Sequence, residues 1–402
     1  MNRVILAINA GSSSIKFQAF ATEGVVGAGD NLERRVSGLL EGIGSQPRLL
    51  IKDGAGATLR NDNLSQAAAP SVEAGEGIVG DWLQSDDAAR LIGGPIGAIG
   101  HRVVHGGADF SAAAQIDDAV LARITALTHL APLHQPKNLA PILAWRQRRP
   151  DLPQIACFDT AFHRGHAEVA ERFAIPEALY LEGVRRYGFH GISYEFIAEK
   201  LTEVAPAIAR GRVIVAHLGN GCSLCAMQDG RSVDSTMSFT ALDGIPMGTR
   251  PGAIDPGVVL YLMREKGMDA AALEKFLYHQ CGLKGMSGIS NDVRVLEAST
   301  EPQARLALDH FVYRIAKEIG ALAAVLQGID ALVFTAGIGE NGADLRARIV
   351  AASSWLGLSL DADANAARRT DLSKSATGPR VLMIPTDEEL MIARHTRRVL
   401  AL

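Results

Sequence analysis

Three runs of small residues, each directly after an aliphatic stretch, carry the first chemical signal in the chain: Asn9 to Ser14, His217 to Ser223 and Gly337 to Asn341. Glycine lets a backbone approach an anion closely, and successive N–H groups in such turns form a concave anion site. One turn of this kind is commonplace, but three in one chain point to a ligand with several phosphates. None is a P-loop, which needs G-x-x-x-x-G-K-[ST] opening a helix. Lys16 instead lies on the strand predicted after the first turn, where it can place a point charge on a phosphate. A solvated strand lysine is the plainer reading of that residue.

A second set is cationic and rich in histidine. It comprises His101 and Arg102 with His105-Gly106-Gly107, His134 in LAPLHQP, His190 in YGFHG, His217 in AHLGNG and Arg250 in MGTRPG. Residues at the ends of apolar runs beside Gly or Pro are presented by loops, where function concentrates. Each histidine on its own also reads as a structural hydrogen-bonder. Arg250 stands among Gly248, Pro251 and Gly252, a rigid setting for one side chain. The acidic candidates are Asp159 and Glu388, each just after an aliphatic run. Carboxylates there suit Mg²⁺, which takes a few oxygens along with phosphate and water. Asp387 and Glu389 also read as helix N-terminal residues favoured by the dipole.

The elements that must position these residues follow from periodicity. Val4 to Ala7 and Ile15 to Phe20 read as two strands about a tight turn, and Ile96 to Gly107 as a strand running into a glycine turn. Helical spacing follows in DDAVLARITALTHLAPLH and PKNLAPILAWRQRRP. Pro150 and Pro153 then mark an expected domain boundary, with residues 1–150 on one side and 151–385 on the other. After it come strand IACFD, a charged helix to about Phe173, and the helix SYEFIAEKLTEVA. The stretch from Glu23 to about Asp87 reads as weakly specified edge structure and loops. IDALVFTAGIGENGADLRARIVAA reads strand, glycine turn, helix, and VLMIPTDEELMIARHTRRVL likewise, with Thr386 or Asp387 as the cap. VILAINAGSSSIKF (Val4 to Phe17) also aligns without gaps on VIVAHLGNGCSLCA (Val213 to Ala226), which suggests a duplicated architecture.

Bulk composition narrows the classes. The 402 residues suffice for two domains, and 48% hydrophobic with 21% charged residues is ordinary for a globular protein. A net charge of -4 offers no general attraction to nucleic acid or an anionic membrane. Four cysteines do not make a disulfide scaffold, and Cys222 and Cys225 read as reduced packing thiols on a strand, where i and i+3 face opposite ways. No apolar run is long enough to span a membrane or to serve as a leader, so the expected compartment is the cytoplasm.

INAGSSSIKF, HRVVHGG, LAPLH, FDTAFH, YGFHGISY, HLGNGCSL, MGTRPGAIDPG, FTAGIGEN and IPT-x-EE, in this order and over nearly the whole chain, resemble the signatures of the acetate kinase (short-chain acyl kinase) family. The resemblance implies an α/β fold of two duplicated ribonuclease H-like domains with a nucleotide cleft between them, that of the acetate and sugar kinase, Hsp70 and actin superfamily. It implies a homodimer, and a C-terminal helix (386–402) returning to the first domain. It further implies reversible phosphoryl transfer between ATP and acetate, giving acetyl phosphate and ADP, with Mg²⁺, or Mn²⁺ in its place. ATP would be held by His217, Leu218, Gly219, Asn220 and Gly221, by Asp292, Val293 and Arg294, and by Gly337, Ile338, Gly339, Glu340 and Asn341. Ser12, Ser14 and Lys16 would join them. Asn9 and Glu388 would serve the metal. Arg102 would take the substrate carboxylate beside Val104, Leu133, His134 and Phe189, and Asp159, His190 and Arg250 would form the reacting centre.

The chain departs from the family pattern at HRGHAEVAERFAIP, at Gln135 and Lys137, at Asp387, and at Ala241, where proline is usual. A propionate or butyrate kinase is the nearest alternative. A phosphohydrolase of the same superfamily and an ATP-gated binding module are more distant ones.

Overall fold

The computed structural model describes residues 4–11, 13–22 and 32–402. Ser12, a candidate phosphate contact, lies outside them. The described residues form two compact units, one comprising residues up to 162 together with 387–402, the other 163–386.

The first unit is built on an eight-stranded sheet: β1 (Val4–Ala10), β2 (Ser14–Ala21), β3 (Glu33–Glu41), β4 (Arg48–Asp53), β5 (Thr58–Asn63), β6 (Ile96–Val103), β7 (Ala114–Gln115) and β8 (Gln154–Phe158), in the order β5-β4-β3-β2-β1-β6-β8-β7. β1 is buried along its whole length, as its unbroken aliphatic run requires of a central strand covered on both faces. It pairs antiparallel with β2 and parallel with β6, and β6 pairs parallel with β8. The helix Gln135–Arg148 covers one face and buries Leu139, Ile142 and Trp145. The C-terminal helix Glu388–Leu400 lies on the other. A Cβ on Gly100 of β6 would stand 2.2 Å from the Thr396 hydroxyl and 2.6 Å from an Ile392 methyl, so only glycine admits the helix this close.

The second unit holds β9 (Val213–Leu218), β10 (Cys222–Gln228), β11 (Arg231–Ser235), β12 (Ala331–Thr335) and β13 (Arg380–Met383), in the order β11-β10-β9-β12-β13. β9 pairs antiparallel with β10 and parallel with β12, and β12 pairs parallel with β13. This matches β3-β2-β1-β6-β8 strand for strand and sense for sense. The repeat seen in the sequence is therefore the β1–β2 hairpin and its copy, β9–β10. The 24-residue helix Pro302–Val325 packs on this sheet through Ala304, Leu308, Phe311, Ile315, Ile319 and Leu322, a stripe at helical spacing.

Several local expectations are corrected. Residues 33–92 are regular, with three strands and the helices Val72–Leu83 and Asp86–Ile92. β3 buries alternate residues, whereas β5 is an exposed polar edge strand that carries almost no hydrophobic signal. The strand IACFD, expected beyond a boundary at Pro150 and Pro153, is hydrogen-bonded into the first sheet as β8. The charged helix expected up to Phe173 shrinks to the single turn Glu168–Glu171. GIGEN is itself a short helix, Ala336–Asn341, entered through a left-handed Ala336 (φ 64°). Asp387, not Thr386, caps the last helix by accepting from the Leu390 N–H. Cys222 and Cys225 are free, buried thiols on β10, as expected. Among the described residues no helix is long and apolar enough to cross a membrane.

Candidate active site

The first unit gathers its candidates at the ends of β1, β6 and β8 and at the start of the last helix. Asn9 stands opposite Lys16 in the β1–β2 register, so both project from one face. Ser14 begins β2. Asn9 Nδ2 donates to Glu388 at 2.8 Å and to Glu389 at 3.0 Å, and Gln18 Nε2 donates to Glu389 at 3.3 Å. Burial first, and the neighbouring Glu388 and Asp387 charges after it, raise the Glu389 carboxyl above its ordinary range, against the pull of Lys16 and Asn9. Two carboxylates and a carboxamide at one helix N-terminus form a set of hard oxygen donors carrying excess negative charge. That chemistry fits a magnesium-like cation.

Arg102, on β6, meets Asp159, one residue past β8. The pair is bidentate: Nε lies 3.0 and 3.1 Å from the two carboxylate oxygens, and Nη2 bonds Oδ2 as well. Parallel pairing of β6 with β8 brings the two ends side by side. Burial opposes the guanidinium charge, but Asp159, Glu388 and Glu389 together hold its pKa above the ordinary value. Val104 follows β6, its N–H bonded to Asn138 Oδ1 at 2.8 Å, while Asn138 Nδ2 donates to the Ala10 carbonyl at 2.8 Å. Buried Asn138 thus fastens the end of β1 to the end of β6. Leu133 and His134 sit partly buried just ahead of the helix that carries it.

Two histidines in this unit are not cations. Burial lowers the pKa of His101 to about 4, and its Nε2 bonds Gln154 at 2.7 Å. Burial likewise lowers His105 to about 3, and its Nδ1 accepts the Gly107 N–H at 2.9 Å.

In the second unit the β9–β10 turn is the focus. Gly219 N–H closes on the Gly221 carbonyl at 3.1 Å. A Cβ on Gly221 would lie 2.7 Å from Arg250 Nη2 and 3.2 Å from His190 Nε2, so glycine here lets an arginine and a histidine rest against the main chain. Arg250 Nη1 is anchored on the Ala241 carbonyl at 2.7 Å. His190 caps the helix Gly191–Val204 in a left-handed conformation, with φ 58°. Its Nδ1 bonds Ser223 Oγ at 2.8 Å, and Tyr194 bonds the same oxygen at 2.5 Å. Its ring stacks on His217 at 4.1 Å, and His217 Nδ1 in turn meets Ser193 Oγ at 2.9 Å. Phe189, immediately before His190, is buried.

The remaining nucleotide candidates belong to the same unit. Asn291 Nδ2 donates to Asn220 Oδ1 at 3.3 Å, next to Asp292. Asp292 caps the short helix Val293–Glu297, and Arg294 folds back onto its carboxylate. Gly337 and Asn341 are joined by Asn341 Nδ2 donating to the Gly337 carbonyl at 2.8 Å. Arg346, fully buried, donates to the Gly339 and Glu340 carbonyls at 2.8 and 2.9 Å and to Asn365. Arg346, Asn138 and Tyr194 were not identified from sequence, and Ser223 only as the end of the His217 to Ser223 turn. Arg346 offered one signal: a charge among Leu345, Ile349 and Val350 on the buried stripe of its helix.

Comparison with known proteins adds an independent line. The model of the Acetokinase family matches residues 4–394. The chain is 55% identical to the acetate kinase of Nitrobacter hamburgensis, over 98% of this chain and 96% of that one. It is 51% identical to the acetate kinase of Rhizobium meliloti, over 98% and 97%. Among solved structures it resembles a propionate kinase from Francisella tularensis (TM-score 0.88, 35% identity, 99% and 100% coverage). It also resembles the acetate kinase of Porphyromonas gingivalis (TM-score 0.84, 33% identity, the same coverage).

Proposed function

The chain belongs to the acetokinase family and is a phosphotransferase with a carboxyl group as acceptor, and from this premise we propose reversible, direct in-line transfer of the ATP γ-phosphoryl group to acetate. The observation that carries the reading is the Arg102–Asp159 pair. Asp159 engages Nε and Nη2 and so locks the guanidinium in place, while Nη1 makes no hydrogen bond among the described residues. A fixed cation with a donor to spare is a receptor for a second carboxylate.

Acetate has a pKa of about 4 and arrives ionised, so it needs no general base. The barrier lies in bringing two anions together and in charge on the transferring group. Arg102 binds and orients the acid. Asp159, spent on Arg102, positions the arginine and takes no proton. Arg250 and His190, both set against Gly221, supply donors where charge develops. The helix end at Ala336–Asn341, the turn Gly219–Gly221 and the cap at Asp292 serve the nucleotide. Asn9 and Glu388, with Glu389 behind them, would hold Mg²⁺, which when bound neutralises phosphate and the leaving diphosphate.

Ala241 bears on the acid chosen. Alanine is smaller than the proline usual in the family and leaves room for one more methylene, whose burial is worth about 0.8 kcal/mol. Acetate is the preferred substrate, propionate a usable one and butyrate a poor one. Acyl phosphate trapped with hydroxylamine, from ATP, Mg²⁺ and each acid in turn, tests both reaction and ranking. Phosphate release with no hydroxamate would mean a hydrolase, and rejection of propionate by about a thousandfold would remove the role given to Ala241.

The helix Pro256–Lys266 supports a homodimer. It buries none of its residues, yet carries Val258, Leu260, Tyr261 and Met263, each between 41% and 52% exposed. Large apolar side chains left exposed together on one helix mark an interaction face.

A further inference from the structure

His190 owes its position to a chain of groups that the proposed reaction does not otherwise use. Its left-handed backbone is unfavourable for a residue with a Cβ and must be held by its surroundings. The peptide before it is held by His163, whose Nε2 bonds the Phe189 carbonyl at 2.9 Å. The His163 ring lies so close under Gly188 that a Cβ there would come within 2.5 Å of it. The same ring meets Tyr194 edge-on at 5.7 Å, and Tyr194 shares Ser223 with His190 Nδ1. One buried imidazole thus supports both the backbone and the side-chain anchor of His190.

The far side of the ring is equally determined. His163 Nδ1 bonds Ser232 Oγ at 2.8 Å, and Ser232 Oγ also meets His166 Nε2 at 2.7 Å and Cys225 Sγ at 3.2 Å. A carbonyl only accepts, so His163 carries its proton on Nε2. Burial keeps both histidines neutral, lowering His163 to about 4 and His166 to about 3. Nδ1 of His163 therefore accepts the single Ser232 proton, and the Ser232 lone pairs accept from His166 and the Cys225 thiol. Ser232 sets the tautomer that lets His163 donate to Phe189.

We propose that His163, with its tautomer fixed by Ser232 and His166, is a positioning residue that holds His190 in its reactive orientation. The inference rests on the reading of His190 as a reacting-centre residue. Misplacing such a group by an ångström can cost about a hundredfold. In steady-state assays of the full-length enzyme, His163→Phe lowers kcat about 10–100-fold with little change in KM for ATP. His163→Gln, whose amide nitrogen reaches the Nε2 position, stays within about threefold of wild type, and the shorter His163→Asn does not.

In a His190→Ala background His163→Phe costs almost nothing more, because its effect runs through His190. An additive cycle, a glutamine variant as poor as phenylalanine, or wild-type kcat in folded His163→Phe would each overturn the proposal. Should the phenylalanine variant not fold, Ser232→Ala carries the same test: a loss of kcat that vanishes on His190→Ala supports it, and no loss or an additive one overturns it. Wild-type kcat in His190→Ala alone would instead remove the underlying role of His190.

Discussion

Arg102 in the first unit and Arg250 in the second are held in different ways, and on the proposed roles that difference separates their kinetic effects. Arg102 is clamped by Asp159, and in the proposed role its remaining donor would meet the incoming carboxylate in ground and transition states alike. Arg102→Ala therefore raises KM for acetate about 10–100-fold with a smaller effect on kcat. Arg250 is braced by the Ala241 carbonyl beside His190, and in the proposed role it would serve charge that appears only during transfer. Arg250→Ala lowers kcat about 10²–10³-fold, and wild-type turnover would sink the assignment. Asp159→Asn loosens Arg102 and lowers kcat/KM for acetate without a new acid limb in the pH–rate profile. Recovery of activity at high pH would point instead to a lost proton acceptor.

Two helix-to-sheet and helix-to-helix contacts make predictions at the next scale. The helix Glu388–Leu400 brings Glu388 and Glu389 to Asn9 only because Gly100 leaves room for it. Gly100→Ala should cost about 1–3 kcal/mol in chemical denaturation and weaken the dependence of rate on metal concentration. Unchanged stability would show that the helix shifts freely. The second contact joins the helices Val72–Leu83 and Gln135–Arg148, where Trp145 Nε1 donates to buried Glu76 at 2.9 Å. Burial, only partly offset by Trp145 and Arg148, pushes the Glu76 carboxyl up to about 7. The folded state then binds this proton more tightly than the unfolded chain, so stability falls as pH rises from 4.5 through about 7. Glu76→Gln keeps an acceptor for Trp145 and has no charge to bury. The variant should match wild type in acid and exceed it by up to about 3 kcal/mol above pH 8, measured by urea titration across pH. A variant less stable at high pH would mean that the carboxylate is stabilised there.

For the whole molecule, two sheets of the same strand order and sense repeat one architecture, and the proposed dimer would use the exposed apolar side chains of the helix Pro256–Lys266. Sedimentation velocity should give twice the chain mass, and Leu260→Glu with Tyr261→Glu should give a single chain. A monomeric wild type would end the dimer reading. The sequence by itself determined the paired hairpins, the glycine turns and the residue types of the site, because periodicity and backbone permissiveness are local properties. It showed that Asn9 and Glu388 both carry oxygen donors, that Arg102 lies near the end of a strand and that Asp159 follows one. Only the tertiary structure decided that Asn9 meets Glu388 and Glu389 and that Asp159 is committed to Arg102. It also decided that His101 is a buried partner of Gln154, that Arg346 is buried against the Ala336–Asn341 helix, and that His163 lies under Gly188. The choice of such partners depends on parallel strand pairing and helix docking between residues far apart in the chain. No local pattern records it, because the free energy that selects one partner over another comes from packing that exists only once the elements are assembled.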